Sequence, residues 1–175
     1  MRFFTGFDRG LAMPEPNTEF KYPDNLKIVL PEPYLTAIGK VCVQWAHLEM
    51  AVELGIKKLA GFDLFDPRSA IVTAHMTWPL RMDILTALIA ELETKYPHLA
   101  KFKDVAPLLK KASEGRNKIA HAFWTIEGGQ VMILRATARG RLKTSMDPVM
   151  VSDIDAVVDD IGRAGAAMYK IILNK

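Results

Sequence analysis

Three polar side chains close together in the sequence, Arg116, Asn117 and His121, are of the types that act on a phosphodiester. A guanidinium is a permanent cation whose N–H donors match phosphate oxygens. An amide can orient a ligand, and an imidazole can accept or donate a proton near neutral pH. These residues therefore suit attack of a ribose 2′-OH on the adjacent phosphate, in which a proton moves and charge grows on the phosphoryl oxygens.

The elements that must position these groups are helices. The three residues lie near the end of a helical pattern, and at about 40° separation on a helical wheel Asn117 and His121 share one face. Arg116 lies about 140° from His121, so its long side chain must reach round the helix to act on the same target. Glu49 lies within the apolar stripe of an earlier helix, where a carboxylate needs a partner. We expect Arg116 or Asn117 on a facing helix to pair with Glu49, which would then orient the arginine.

The distribution of charge along the sequence indicates a candidate RNA-binding surface. The net charge of +3 is too small to indicate a nucleic-acid-binding protein by itself. Between Gly128 and Met146, however, every charged residue is a cation. Together with Lys118 they are the predicted RNA-binding residues: Arg135, Arg139, Arg141 and Lys143. The alternative is that these side chains only keep helices and an edge hairpin soluble.

Other classes of function lack their motifs. The sequence has no Gly-rich nucleotide-binding loop, no nucleophile elbow and no paired histidines at zinc-site spacing. We therefore expect no metal and no cofactor. Cys42 is the only cysteine, and no signal peptide or membrane-spanning run is recognisable, so we expect a cytoplasmic protein without membrane contact.

The apolar periodicity predicts a mainly α fold of one domain. Residues 1–32 are rich in proline and form a predicted N-terminal arm, followed by a helical domain over residues 33–175. Within that domain we expect a four- to five-helix bundle. A small β-hairpin, turning at Gly128-Gly129 and open to a third strand, is inserted before the C-terminal helix. Ser152 is the predicted N-cap of that last helix, with Asp155 three residues on and Asp153 favouring the positive end of the helix.

Arg116-Asn117 followed by His121, at the end of a bundle helix, resembles the R-x(4–6)-H motif of the HEPN superfamily (higher eukaryotes and prokaryotes nucleotide-binding domains). The run Trp45-Ala46-His47-Leu48-Glu49 is similar to the first helix of several bacterial HEPN-like families. The resemblance covers residues 33–125 and the final helix, mainly as helix order. The hairpin and the Pro-rich arm depart from the minimal bundle.

The resemblance implies metal-independent RNA cleavage by a homodimer that brings two motifs together in a basic cleft. It also implies a toxin or a component of phage defence, with an antitoxin protein as a partner. In this chain His121 would be the acid/base, Arg116 the phosphate clamp and Asn117 the positioning residue. The alternative is a non-catalytic module that binds RNA, a nucleotide or a protein, in which the three side chains form a structural polar cluster.

Overall fold

The computed structural model describes residues 30–63, 66–137 and 143–173 of the 175-residue chain. The elements in this part are α1 (Glu32–Leu59), α2 (Pro67–Thr73), α3 (Trp78–Leu92), a 3₁₀ helix (Pro97–Lys101), α4 (Phe102–Ala120), β1 (Phe123–Glu127), β2 (Gln130–Thr137), β3 (Lys143–Pro148) and α5 (Val151–Leu173). The predicted mainly α fold, with a small antiparallel sheet before the last helix, is confirmed. Nearly all of the predicted N-terminal arm lies outside the described residues.

The long helix α1 is the central element of the bundle. It begins with a proline in its first turn and ends just before Gly61, whose φ of 77° favours glycine. Its buried face centres on Val41, Leu48 and Ala51. Leu35 and Cys42 are apolar but exposed, because α1 carries apolar residues on more than one face.

Helix α5 runs parallel to α1, and α4 runs antiparallel to α5. The Tyr34 hydroxyl donates to the Val149 carbonyl at one end of the α1–α5 pair, and Gly55 meets Met168 at the other. Between α4 and α5 the helices approach closely at Gly115, where an added Cβ would lie 3.1 Å from a Val157 methyl carbon.

A partly buried ion cluster ties α1 to α2 and α3; we call it the Glu53 cluster (Glu53, Lys57, Thr73 and Arg81). The Glu53 carboxylate lies 2.7 Å from Lys57 Nζ and 3.5 Å from Arg81 Nη2, and it accepts a hydrogen bond of 3.0 Å from the Thr73 hydroxyl. Burial acts to raise the pKa of Glu53, but the hydrogen bonds from Lys57 and Thr73 outweigh it and hold the pKa below its ordinary value.

The three strands form an antiparallel sheet in the order β1-β2-β3. The β1–β2 turn is made by Gly128 and Gly129, both with positive φ (57° and 81°), as predicted from the Gly-Gly pair. One face of the sheet buries Val131 and Ile133 against the bundle. Since cross-strand partners share a face, Trp124, which pairs with Ile133, also points inward.

The ends of α4 and α5 differ from the prediction. Helix α4 ends at Ala120 and the chain passes into β1 at Phe123, so His121 lies just beyond the helix that was expected to carry it. Helix α5 begins at Val151, and the Asp153 carboxylate accepts from the Met150 backbone N–H at 2.8 Å. Asp153 therefore caps this helix, and the predicted N-cap at Ser152 was wrong. No helix in the described residues is both long and apolar enough to cross a membrane.

Candidate functional site

The site is built where α4 ends. His121 has left the helical conformation, with φ −110° and ψ 11°, although its backbone N–H still bonds the Asn117 carbonyl at 3.3 Å. Two residues earlier, the Ile119 carbonyl accepts from the Trp124 indole N–H at 3.3 Å. The side chain of the first inward residue of β1 thus satisfies a carbonyl that the helix leaves open, and it fixes the turn that carries His121.

The structure brings the three predicted residues together. Arg116 Nη1 donates to Asn117 Oδ1 at 3.1 Å and contacts His121 Nε2 at 2.8 Å. An ideal helix would place Arg116 and His121 far apart around its axis. The contact forms because the helix ends at Ala120, so that His121 departs from the helical direction.

The Arg116 guanidinium packs on a pair of aromatic side chains. Its guanidinium carbon lies 5.4 Å from the centre of the Trp45 ring, which is only 5% exposed. Trp45 in turn packs on Trp78, with ring centres 4.4 Å apart and planes inclined by 53°. The contact between Trp45 and Arg116 was not predicted from the sequence. The available signal was the position of Trp45 one helical turn before Glu49 on the same helix.

The Arg116–His121 contact determines how the imidazole is protonated. A guanidinium only donates, so Nε2 must act as the acceptor and the ring proton must be on Nδ1. Nη1 serves both Asn117 and His121, whereas Nε and Nη2 make no hydrogen bond within the described part of the chain. Asn117 and His121 are exposed and Arg116 is partly exposed, so the unused donors lie close to solvent.

Glu49 is not the partner of Arg116. Among the described residues the Glu49 carboxylate makes no ion pair, and its backbone carbonyl accepts from Arg81 Nη1 at 3.4 Å. Glu49 lines a separate groove beside Glu53 and Arg81. The expected ion pair is absent because Trp45, one turn earlier on α1, occupies the position facing Arg116.

The predicted RNA-binding cations divide into three groups. Lys118 is exposed on the last turn of α4. Arg135 forms an ion pair with Asp147, and the hydrogen bond from Arg135, aided by Ser145 and by the nearby Lys118 charge, lowers the pKa of Asp147. Arg139 and Arg141 lie outside the described residues, as does the side chain of Lys143, whose backbone opens β3.

The cluster of Arg116, Asn117 and His121 therefore offers a cation and a proton-transfer group at an accessible position. No group of three or more His, Cys, Asp or Glu side chains with metal-binding geometry occurs in the ranges that the structure describes. No protein-family model, curated protein or solved structure matches the chain. What the protein does must therefore be inferred from the chemistry of these side chains.

Proposed function

We propose that this protein is a metal-independent endoribonuclease of the HEPN type, with His121 as the acid/base, Arg116 as the phosphate clamp and Asn117 as the positioning residue. One observation carries the proposal. The Arg116 guanidinium has no carboxylate partner among the described residues, yet it lies within hydrogen-bond distance of the exposed His121 imidazole. A cation held by an aromatic ring and neutral groups retains its affinity for an anion, and RNA supplies one.

The geometry supports a sequence of steps. A phosphate oxygen is a stronger partner for a guanidinium than a neutral imidazole nitrogen. When the phosphodiester binds the Nε and Nη2 donors of Arg116, the guanidinium can turn from His121 and release Nε2. That nitrogen accepts the proton of the 2′-OH, whose oxygen forms a bond to phosphorus, and the bond to the 5′ oxygen breaks. The leaving oxygen takes a proton, and the products are a 2′,3′-cyclic phosphate and a 5′-OH.

The leaving-group proton needs a second donor. We infer that a homodimer brings a second His121 to the same phosphodiester, so that one imidazole accepts a proton while the other donates one. Lys118 extends the basic surface on α4, and Arg139 and Arg141 are the remaining candidate contacts. The substrate would be RNA in the cytoplasm, and an antitoxin protein would have to cover this surface to silence the enzyme.

The proposal is tested by incubating single-stranded RNA with purified protein in excess EDTA. We expect cleavage by the wild type, a loss of roughly 10²- to 10⁴-fold in rate for His121→Ala, and no change for His75→Ala, which removes another exposed histidine. Cleavage that stops in EDTA, or equal rates for the two variants, would contradict the proposal. A lower melting temperature for His121→Ala without any RNA cleavage by the wild type would instead indicate the non-catalytic module.

A further inference from the structure

The outer face of the sheet carries an exposed apolar row. Phe123 of β1 pairs with Leu134 of β2, which pairs with Met146 of β3, so the three side chains line up across all three strands on one face. Phe123 is 66% exposed and Met146 is 45% exposed. We call Phe123, Leu134 and Met146 the outer row.

The outer row is not part of the hydrophobic core. The opposite face of the sheet packs on the bundle, and there Ile133 is fully buried and Trp124 partly so. The first residue of β1 points the other way, because successive side chains of a strand alternate between faces. An aromatic ring left outside the core contributes little to folding and is available to a ligand.

The outer row lies next to the Arg116 site. Phe123 follows His121 by two residues, so their Cα atoms are at most about 7 Å apart. Strand β2 continues past Leu134 to Thr137, which pairs with Lys143, and this extension lies at the end of the sheet where β1 begins. The chain between Thr137 and Lys143 contains Arg139 and Arg141, which lie outside the described residues.

We propose that Phe123 is a stacking surface for one base of single-stranded RNA, beside the nucleotide whose phosphate binds Arg116. The inference rests on the proposed function and specifies its substrate as an unpaired strand. Every base presents a flat π-face to an aromatic ring, whereas bases within a duplex are already stacked on their neighbours. The charge around the ring favours RNA over a protein, because the nearest site residues offer a guanidinium without a carboxylate partner in the described residues and the exposed Lys118.

Binding of a non-cleavable strand tests this inference separately from catalysis. A fluorescent 2′-O-methyl oligoribonucleotide lacks the nucleophile, so its affinity can be measured by anisotropy with the wild-type protein. We expect Phe123→Ala to weaken binding roughly 5- to 150-fold, the range that corresponds to one stacked base, and Phe123→Tyr to restore it. Ile126→Ala is the matched control, since Ile126 is on the same strand, 44% exposed and on the opposite face.

A base deletion sharpens the test. Each oligonucleotide in a series lacks the base at one position. We expect one of them to bind the wild type as weakly as the intact oligonucleotide binds Phe123→Ala. Removal of that base should not weaken the binding of Phe123→Ala any further. In a fully paired RNA duplex, Phe123→Ala and wild type should bind alike. Unchanged affinity of Phe123→Ala for the single strand, or equal weakening for the duplex, would overturn the inference.

The outcomes separate this inference from the proposed function. Wild-type cleavage with an unchanged KM for Phe123→Ala would leave the ribonuclease intact and reject the stacking surface. Phe123-dependent binding without wild-type cleavage would support the stacking surface and contradict the ribonuclease. If Phe123→Ala converted a dimer to a monomer in sedimentation and left RNA affinity unchanged, the outer row would be a protein contact and the inference would be wrong.

Discussion

Two arginines rest against helix α1, and their surroundings are opposite. Arg81 belongs to the Glu53 cluster, where the side chains of Arg81 and Lys57 are 12% and 11% exposed and share one carboxylate. Arg116 rests on the Trp45 ring, and among the described residues it bonds only Asn117 and His121, which are exposed and bear no negative charge when His121 accepts. In the first case charge is neutralised inside the fold; in the second the cation still needs an anion.

The presence or absence of a counter-charge separates a structural polar cluster from one that can bind a ligand. Both contain a guanidinium, both lie beside α1, and both bring together residues from different parts of the chain. What distinguishes them is whether the positive charge already has its counter-charge. A buried cation without one is costly, so loss of the shared carboxylate should destabilise the fold. The exposed site tolerates an unneutralised cation, and this leaves room for a ligand anion.

Of the replacements that compare the two arginine sites, that of Arg116 should give the largest effect, and it should fall on activity. We expect Arg116→Ala to lower the rate of RNA cleavage by about 10²- to 10³-fold, because it removes the donor that stabilises charge on the phosphoryl oxygens. Arg116→Lys keeps the charge and loses the planar fork, so it should recover only part of the rate. The melting temperature should fall by only a few degrees, since the lost contact with Trp45 contributes about 1 kcal/mol. If the loss in cleavage rate were no larger than the loss of folded protein indicated by the melting temperature, Arg116 would be structural.

Replacing Glu53 should give the reverse result. Glu53→Ala leaves Lys57 and Arg81 without their shared anion, and we expect a loss of about 3 kcal/mol of unfolding free energy, or roughly 6–12 °C in melting temperature. Asp155→Ala is the control, because it breaks the exposed ion pair with Lys40 and should cost at most about 1 kcal/mol. Cleavage per folded molecule should be unchanged in both. Equal losses of stability in the two variants would show that the Glu53 cluster contributes no more than an exposed ion pair.

The close approach of α4 and α5 links the site to the core. Gly115→Ala places a methyl group 3.1 Å and 3.2 Å from the two methyl carbons of Val157, and we expect a net loss of about 1 kcal/mol despite the better helix propensity of alanine. Gly162→Ala, with nothing within 4 Å of the added carbon, should instead stabilise by up to about 1 kcal/mol. Since Gly115 precedes Arg116, only the first variant should also slow cleavage. Thermal melts and initial rates on both variants check the signs.

The smallest effect should appear in acid. The pKa of Glu53 is lowered in the folded protein, so the stability it adds is present above its ordinary pKa of 4.5 and is lost as the pH falls through the lower folded value. The melting-temperature difference between wild type and Glu53→Gln should therefore be constant above about pH 5 and should narrow below pH 4.5. The melting temperature of Arg116→Ala should decrease in acid in the same way as that of the wild type. A difference that widened in acid would contradict the sign of the shift.

The parts of the fold that depend on local chemistry were predictable from the sequence. Gly61 ends α1, Asp66 caps α2 with its carboxylate 2.8 Å from the Arg68 N–H, and Gly128-Gly129 turns the hairpin. Each signal comes from one or two residues whose backbone or side chain permits few alternatives. The sequence therefore predicted the order and type of these elements and left a third strand open.

What depends on tertiary packing was not predictable. Leu35 is apolar and exposed because the buried face of α1 is chosen by what packs on it. Glu49 and Glu53 are one turn apart on the same helix, and only the positions of Lys57 and Arg81 decide which carboxylate is paired. The residue types of the site were visible in the sequence, but its geometry was not, because the end of α4 is fixed from β1 through the Trp124 indole.

The position of the site at the C-terminal end of α4 has a consequence for turnover. Most phosphate sites use the N-terminal end of a helix, where the macrodipole attracts anions. Here the helix presents its negative end, so in the proposed function side chains alone would hold the anion, and the helix dipole would oppose its binding. We expect inorganic phosphate and cyclic-phosphate products to be poor inhibitors. We also expect the cleaved strand to dissociate faster than the phosphodiester is cleaved, so that the chemical step limits turnover.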